Sequence, residues 1–174
     1  MTSSLETVNT TSRKPWEPRL DFAAHAPVFS KAMEQLAQAT STEANRAGLP
    51  PELCELVRTR ASQVNGCAYC TDMHTKDAAA AGETQLRLNL VAVWREAKVF
   101  TEAERAALEL AEQGTRIADA AGGVTDEAWA NAAKHYDADQ LAALVCLIAL
   151  INTYNRLNVI LQNQGGDYQP GQWG

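Results

Sequence analysis

Signals that start and stop helices recur along this sequence, and no stretch shows the alternation of apolar and polar residues typical of a strand. Glycines follow predicted helix ends at Gly48, Gly66 and Gly82, where a left-handed residue ends a helix without strain. Two later helices have an N-cap residue, Thr101 or Asp137, with a glutamate or glutamine three positions further on. The pattern predicts helices over residues 27–47, 50–65, 67–81, 86–95, 101–120, 125–135 and 137–162.

An all-α fold follows, because helices alone are available to bury the hydrophobic residues that make up 46% of the chain. That fraction is sufficient for a compact helical bundle, so disulfides are not needed for stability. We expect a flexible N-terminal arm over residues 1–18, a helical domain over residues 19–164 and an irregular C-terminal tail over residues 165–174.

The charge of the chain limits its partners. A net charge of −6, without a stripe of lysine or arginine, argues against nucleic acid or an anionic membrane surface. The start of the chain lacks the apolar segment of a signal peptide. The longest apolar run, residues 141–151, is shorter than the roughly 20 residues that a membrane-spanning helix requires. We therefore expect a cytoplasmic protein without a membrane partner, in a compartment where thiols are kept reduced.

The last predicted helix is apolar on nearly every side between Leu141 and Ile151. A helix with this pattern is buried on every side. In a domain of this size, such burial favours a subunit interface, and hence a homo-oligomer. A central core helix would produce the same pattern.

The four cysteines fall into two groups. Cys54 and Cys146 stand alone in apolar helical patterns, which is typical of small buried side chains. Cys67 and Cys70 form a CxxC pair at a predicted helix start, and such a pair is a redox dithiol, part of a metal site or a coincidence. The sequence has neither the second CxxC nor the paired histidines that favour zinc.

The position of the CxxC pair favours redox chemistry without a cofactor. The free amides at a helix start lower the pKa of a cysteine, and the resulting thiolate attacks peroxides and disulfides. In a thioredoxin-type motif the CxxC pair follows a strand, whereas no strand is predicted before this pair. A glycine-rich phosphate loop is also absent from the sequence, so we expect no nucleotide cofactor. Without the ligand pattern of a zinc site, we expect no metal.

A histidine and a glutamate complete the predicted site. His74 follows Cys70 by four residues and Cys67 precedes it by three, so the three side chains lie on one helical face. The imidazole can accept a thiol proton, and the second cysteine can trap a sulfenic acid as a disulfide. If the helices on either side of Gly66 pack antiparallel, Glu55 lies about 4.5 Å from His74 along the axis. Glu55 would then orient the imidazole; a solvated carboxylate is the alternative.

One segment, from Glu55 to His74, closely resembles the core of the alkylhydroperoxidase D (AhpD)-like branch of the carboxymuconolactone decarboxylase family: ELVRTRASQVNGCAYCTDMH. That core has a glutamate twelve residues before a CxxC and a histidine four residues after it, and every spacing matches. The run from Asn152 to Asn158 is similar to the asparagine-rich closing helix of the same family. The resemblance covers about residues 20–163.

The resemblance implies an all-α fold, assembly into trimers or hexamers, and peroxidase or disulfide-exchange activity. It also implies that Cys70 attacks the peroxide, that Cys67 resolves the oxidised form, and that Glu55 and His74 form a proton relay. Some family members have a further relay histidine between the two cysteines, where this chain has Tyr69 and the residue before it. We therefore expect an intact dithiol with a shorter relay.

We predict a thiol-dependent peroxidase or disulfide oxidoreductase that reduces hydroperoxides through the dithiol. A thiol reductant, which in this family can be a lipoyl-bearing protein, would restore the reduced form. Two alternatives stay open. One is a decarboxylase or lactonase-like enzyme of the same fold that does not use the cysteines. The other is a zinc-binding structural or sensor oligomer, in which the metal is held by Cys67, Cys70, His74 and Glu55.

Overall fold

The computed structural model describes residues 14, 16–120 and 122–172. Most of the predicted arm, residues 1–18, and the end of the predicted tail lie outside the described residues. The described chain forms eight α-helices and one 3-10 helix without a strand, which confirms the all-α fold. In chain order they are α1 (Phe22–His25), α2 (Pro27–Arg46), α3 (Pro51–Val64), α4 (Ala68–Ala80), α5 (Gln85–Leu90), the 3-10 helix (Val91–Glu96), α6 (Glu102–Thr115), α7 (Asp126–Ala132) and α8 (Ala138–Leu161).

Side-chain caps fix the starts of the later helices, as the sequence pattern predicts. The Thr101 side chain accepts a hydrogen bond from the N–H of Glu104, whose carboxylate accepts one from the N–H of Thr101. Asp137 and Gln140 form the same capping box at the start of α8. Such a cap contributes about 1 kcal/mol to helix stability. The two helices that supply much of the core therefore begin at positions set by the local sequence.

Two predicted helices are longer than the observed ones. Helix α6 ends at Thr115 instead of residue 120, because the chain turns at Arg116 and the next apolar side chain, Ile117, is 60% exposed. A further turn of helix there would bury no apolar face, and helices of this size depend on packing for their stability. Helix α7 likewise ends at Ala132, before the predicted boundary.

The region between α4 and α6 also differs from the prediction. The helix expected over residues 86–95 divides into α5 and the 3-10 helix. Within the 3-10 helix, Val93 has φ of −123° and ψ of 32°, which are not helical values and mark a kink. Helix α1 has no counterpart in the sequence prediction. It is four residues long and contains no buried residue, so the sequence carries no periodic apolar signal for it.

Helices α3 and α4 form an antiparallel pair around Gly66, which has a left-handed φ of 65°. Helix α3 is the central element and packs against α4, α6 and α8. Its Leu56 and Val57 side chains face the core and are fully buried. Val57 belongs to the largest apolar cluster, together with Leu110 of α6 and Leu144 of α8. The core thus fixes α3, and α3 fixes the position of α4.

Helix α8 is both a core helix and the most apolar element. It is long and apolar enough to cross a membrane by length and composition, although half of its most apolar stretch is buried inside the protein. Leu144 and Leu147 pack into the core, whereas Val145, Cys146 and Ala149 are exposed. The sequence pattern predicted that this helix is buried on every side, and within one chain it is not. The prediction that Cys146 is buried is wrong for the same reason.

The segment after α8 is irregular and lies along α4. Asp72 accepts hydrogen bonds from the N–H groups of Gly166 and Tyr168 at 2.8 and 3.3 Å. Lys76 Nζ donates to the carbonyls of the same two residues at 3.0 and 2.9 Å. The Tyr168 side chain is buried, and its hydroxyl donates to Asp77 at 2.9 Å. The tail is thus held against the helix that begins at the CxxC pair.

Candidate active site

The CxxC pair occupies the helix start that the sequence predicts. Cys67 is the N-cap residue of α4 and Cys70 lies in its first turn, and the two residues are 2% and 0% exposed. The backbone N–H of Cys70 donates to Cys67 Sγ at 3.4 Å, so the sulfur replaces the oxygen of an ordinary N-cap side chain. Both thiols are free. Two free thiols therefore lie side by side, away from bulk water.

The two thiols differ in acidity. A hydrogen bond from the Cys70 thiol outweighs the effect of burial and, with backbone N–H donors of the first turn, lowers the pKa of Cys67 to about 7. The same hydrogen bond, together with burial, raises the pKa of Cys70. When the pair loses its first proton, the negative charge therefore lies on Cys67. The sulfur that the family resemblance implies as the attacking one, Cys70, needs further groups to become a thiolate.

Glu55 and His74 meet across the α3–α4 pair. His74 Nδ1 lies 2.8 Å from Glu55 Oε2, and their side chains are only 10% and 15% exposed. The alternative of a solvated carboxylate at Glu55 is therefore wrong. Because an ionised carboxylate only accepts hydrogen bonds, Nδ1 carries the proton and Nε2 is the basic nitrogen. His74 follows Cys70 by one turn on the same face of α4.

A third residue, which the sequence reasoning did not identify, holds Glu55. Arg58, nearly one turn further along α3, forms an ion pair with Glu55 Oε1. Burial raises the pKa of Glu55, but the hydrogen bonds from His74 and Arg58 outweigh it, and the pKa lies below its ordinary value. The carboxylate is therefore negative at neutral pH and keeps the imidazole in one orientation.

Helix α8 brings buried amides to the cysteines. Asn158 Nδ2 donates to Cys70 Sγ at 3.2 Å. Asn155 is fully buried, hydrogen-bonds to Cys67 and donates to Ser62 Oγ at 3.1 Å. The sequence reasoning treated these asparagines as a family feature and missed them as site residues. The available signal was their three-residue spacing in an otherwise apolar helix.

The rest of the site wall is apolar and aromatic. Ala61 and Ile151 pack around the cysteines, with Tyr69 and Tyr154 partly buried against them. The Tyr154 hydroxyl donates to the Met33 carbonyl at 3.2 Å, and burial raises its pKa, so the phenol is neutral at physiological pH. A charge that develops on sulfur here is poorly hydrated. Its interactions with the nearby amides and imidazole are correspondingly stronger than in water.

The site has the groups for proton transfer and thiolate attack. In the described part of the chain, no three histidine, cysteine, aspartate or glutamate side chains are grouped as a metal site requires. His74 Nδ1 is already bound to the Glu55 carboxylate. The arrangement can therefore ionise a thiol, hold the charge in an apolar setting and return a proton to a leaving group.

A model of the carboxymuconolactone decarboxylase family matches residues 27–113, which is half of the chain. The chain belongs to this family. The matched range contains all four predicted site residues, whereas the asparagines of α8 lie beyond it. Glu55 and the dithiol thus fall in the part that the family shares, and the amide donors come from the remainder of the chain.

Relatives of this carboxymuconolactone decarboxylase family member align with it over most of their length. Protein YdfG of Bacillus subtilis (strain 168) is 42% identical over 110 residues, which cover 63% of this chain and 74% of YdfG. A crystal structure from Agrobacterium tumefaciens, of a protein of unknown function described as a candidate antioxidant defence protein AhpD, has a TM-score of 0.80. It is 33% identical and covers 87% of this chain and 100% of that one. The fold is therefore AhpD-like.

The same fold supports more than one reaction. The debrominase Bmp8 has a TM-score of 0.72 with this family member at 21% identity, over 83% of this chain and 74% of its own. At that identity the likeness is one of fold alone. Family and fold together favour an enzyme, and the kind of reaction has to be argued from the site.

Proposed function

We propose that this protein is a thiol-dependent peroxidase or disulfide oxidoreductase that reduces hydroperoxides through Cys67 and Cys70. The observation that carries the proposal is a buried dithiol at a helix start, one turn from an imidazole held by a carboxylate. A pair of cysteines that served only packing would need neither the N–H donors at sulfur nor an oriented base. Cys67, with a pKa near 7, is partly ionised at neutral pH and can attack an oxidised partner sulfur, and His74 provides a base for Cys70.

The proposed cycle starts from two thiols. His74 takes the Cys70 proton at Nε2, and the thiolate attacks the terminal oxygen of the hydroperoxide. The O–O bond breaks, the alkoxide takes the proton from the imidazolium and leaves as an alcohol, and Cys70 becomes a sulfenic acid. Cys67 then attacks that sulfur, its proton leaves with the hydroxyl group as water, and a disulfide remains. Two thiols and one hydroperoxide thus give one disulfide, one alcohol and one water.

The acidity of Cys67 suits the second step of this cycle. In the reduced pair the pKa of Cys67 is about 7, and after oxidation of Cys70 the backbone N–H donors of the first turn and Asn155 still favour its thiolate. The attacking sulfur instead depends on the base beside it and on the donor from Asn158. In the proposal, each sulfur is therefore ionised by a different set of neighbours.

The reductant in this proposal is a small dithiol or one carried on a long flexible arm, such as a lipoyl group on a partner protein. Both sulfurs are almost completely buried, so a thiol fixed on a globular surface cannot approach in line with the disulfide. Because the disulfide must be reduced again in each cycle, we also propose a cytoplasmic setting, where thiol reductants are abundant.

A thiol titration tests the proposal. Free thiols are counted before and after one equivalent of an organic hydroperoxide, in the wild type and in Cys67→Ser and Cys70→Ser. We expect the wild type to lose two thiols. A persistent sulfenic acid, trapped with dimedone, should form only in Cys67→Ser. Cys146→Ser is the matched control and should still lose two.

Other outcomes of this titration would contradict the proposal in different ways. If the wild type loses no thiol, hydroperoxides are not substrates of the dithiol. If the sulfenic acid accumulates in Cys70→Ser instead, the roles of the two sulfurs are reversed. A decarboxylase or lactonase-like activity that survives both serine substitutions would assign the site to different chemistry. Stoichiometric zinc in freshly purified reduced protein would favour the metal-binding alternative.

We also propose that the protein forms a homo-oligomer, a trimer or hexamer, through the exposed side of α8. Ile117, Trp129 and Val145 are 60%, 44% and 46% exposed and line a groove of about 630 Å³ between α6, α7 and α8. Adjacent apolar residues at a surface are typical of an interface. Light scattering should give a multiple of the 18.8 kDa chain mass, and Val145→Glu should lower it. Leu86→Glu, at an exposed apolar position of α5, should leave it unchanged.

A further inference from the structure

The side chain of Asn163 is directed to the dithiol site by the way α8 ends. Gln162 ends the helix in the left-handed conformation, with φ of 57°, and this reverses the chain. The backbone N–H of Asn163 then donates to the carbonyl of Asn158 at 3.0 Å. Its side-chain Nδ2 donates to Asn158 Oδ1 at 2.7 Å. Asn163 therefore lies over the last turn of α8 and holds the amide that contacts Cys70.

The orientation of the Asn158 amide decides what the Cys70 sulfur meets. An asparagine side chain has a donor end and an acceptor end of nearly equal size. Asn163 donates to the oxygen end, so the NH₂ end faces Cys70 Sγ at 3.2 Å. A donor at this position favours the thiolate, whereas an acceptor would favour the protonated thiol. Asn158 is 8% exposed, so water competes little for either end.

The segment that supplies Asn163 is built into the fold. A Cβ atom at Gly165 would come within 2.6 Å of the Ala68 carbonyl oxygen, so only glycine permits this close approach to the first residue of α4. Directly after it, the N–H of Gly166 donates to Asp72 at 2.8 Å. The segment thus crosses the start of α4 in a fixed position, and Asn163 is held between two anchored elements.

We propose that Asn163 is a positioning residue of the dithiol site: by holding Asn158 Oδ1, it presents an N–H donor to Cys70 and favours the thiolate there. Asn158 contacts the reacting sulfur itself. The inference rests on the proposed function only in assigning the attack to Cys70. The acidity of that thiol can be measured without any peroxide, so the two proposals can fail separately.

The test measures the ionisation of Cys70 in Cys67→Ser protein. The rate of alkylation by iodoacetamide is followed against pH and quantified by mass spectrometry on the peptide that contains Cys70. The other ionisable groups near this sulfur, His74, Glu55 and Tyr154, are the same in every variant. The changes compared are Asn163→Ala, Asn163→Asp and the matched control Gln164→Ala, whose amide donates to the Gln162 carbonyl instead.

We expect Asn163→Ala to slow alkylation of Cys70 about tenfold at pH 7 and to move the midpoint up by about one pH unit. At pH values well above the midpoints of the parent and the variant, the alkylation rate should be the same in both proteins, since the ionised sulfur is equally accessible. Asn163→Asp should move the midpoint further, because the carboxylate attracts the NH₂ end of Asn158 and turns its oxygen towards the sulfur. Asn163→Asp has the size of the native side chain, so it serves as the test if Asn163→Ala fails to fold.

An unchanged pH profile in the Asn163 variants, or an equal shift in Gln164→Ala, would overturn the inference. A loss of rate at all pH values without a shift of the midpoint would also overturn it, since a merely structural role predicts that result. If the midpoint shifts as expected but wild-type protein does not reduce hydroperoxides, the positioning role stands and the proposed reaction does not.

Discussion

Two glutamates of this protein that are largely shielded from solvent, Glu55 and Glu112, are each bound by an arginine of α3, yet their surroundings differ. Glu55 is bound by Arg58 and by His74, whose proton can leave. Glu112 accepts from Arg60 Nη2 at 2.6 Å and from further groups that keep their protons at neutral pH. Arg58 and Arg60 are two positions apart, so one helix serves both networks.

The carboxylate of Glu112 is fully hydrogen-bonded. Trp94 Nε1 donates at 3.1 Å and Arg95 at 2.7 Å, so both carboxylate oxygens have donors. Burial raises the pKa of Glu112, but the hydrogen bonds from Arg60, Trp94 and Arg95 outweigh it and keep the pKa below its ordinary value. Such a network ties α3, α6 and the 3-10 helix together but cannot exchange a proton near pH 7. It is a structural cross-link.

The comparison shows that a buried carboxylate indicates chemistry only through its partners. At Glu55, one partner is an imidazole that follows Cys70 by one turn of α4. At Glu112, every partner is permanently charged or neutral. Substitution of Glu112 should therefore lower mainly the stability of the protein, whereas substitution of Glu55 should lower mainly its activity.

The largest effect is expected for Glu112→Ala. It should lower the free energy of unfolding by about 3 kcal/mol, because Arg60 and Trp94 would lose their buried partner. Glu109→Ala, which removes a carboxylate 3.9 Å from Arg95, is the control and should cost less than about 0.5 kcal/mol. Urea unfolding measures both, and thiol reactivity per folded molecule should stay the same in both.

The Glu112 contribution should also depend on pH with a defined sign. A carboxyl group whose pKa is lowered on folding stabilises the protein fully above its unfolded pKa, near 4.5. That stability is lost as the pH falls through the lower, folded pKa. Wild type and Glu112→Ala should therefore converge in stability under acid conditions. If the difference in unfolding free energy between the two proteins stays constant from pH 7 to pH 3, the ionised Glu112 carboxylate is not the source of this stability.

For Glu55→Gln we expect a large loss of activity and only a small loss of stability, the reverse of Glu112→Ala. Hydroperoxide reduction should fall about 10- to 100-fold, because the imidazole loses the charge that orients it and stabilises its protonated form. Stability should change by no more than about 1 kcal/mol, since the amide retains one hydrogen bond. Steady-state kinetics and urea unfolding measure the two quantities. Glu52→Gln, at an exposed position of the same helix, should change neither. A loss of stability without a loss of rate would make Glu55 a second structural cross-link.

The pH dependence of Cys67 gives a third measurement. Alkylation of this residue should follow a midpoint of about pH 7 and fall tenfold per pH unit below it, because the thiolate is the reactive form. Cys70→Ala should raise the midpoint, since it removes the thiol that donates to Cys67. Tandem mass spectrometry, which fragments the peptide that contains both Cys67 and Cys70, assigns the label to one of the two cysteines. A midpoint near 9 in the wild type, the ordinary value, would show that the helix start does not activate the pair.

The smallest effect is expected for Arg58→Met. The ion pair with Glu55 lowers the pKa of that carboxyl, so its removal should raise the pKa and move the acid limb of the activity profile to higher pH. At pH 7 the rate should fall only two- to fivefold, in line with about 0.5–1 kcal/mol for one partly exposed pair. An unchanged acid limb would indicate that His74 alone sets the state of Glu55.

Local signals in the sequence predicted most of the fold. The capping residues at Thr101 and Asp137 placed the starts of α6 and α8, because a cap depends on residues only three positions apart. The stop at Gly66 allowed Glu55 and His74 to be paired by counting outward along two antiparallel helices. The end of α6 was missed because it depends on whether the next turn finds a core, which local spacing does not encode.

Other contacts of the site could be identified only from the tertiary structure. Asn158 and Cys70 are 88 positions apart, and no helical periodicity relates α8 to α4. Asn163 lies in an irregular segment whose route depends on the left-handed Gln162, a conformation with no strong sequence signal outside glycine and asparagine. The acidity of Cys67 depends on a hydrogen bond from its neighbour, which composition and spacing do not reveal.

The open side of α8 has a practical use that follows from its geometry. Cys146 is exposed there beside Val145, while the three other cysteines are buried. A bulky fluorescent maleimide should therefore label Cys146 in dissociated subunits and leave the buried dithiol untouched. Subunits that meet on this surface would cover Cys146, so the extent of labelling would report the fraction of dissociated protein.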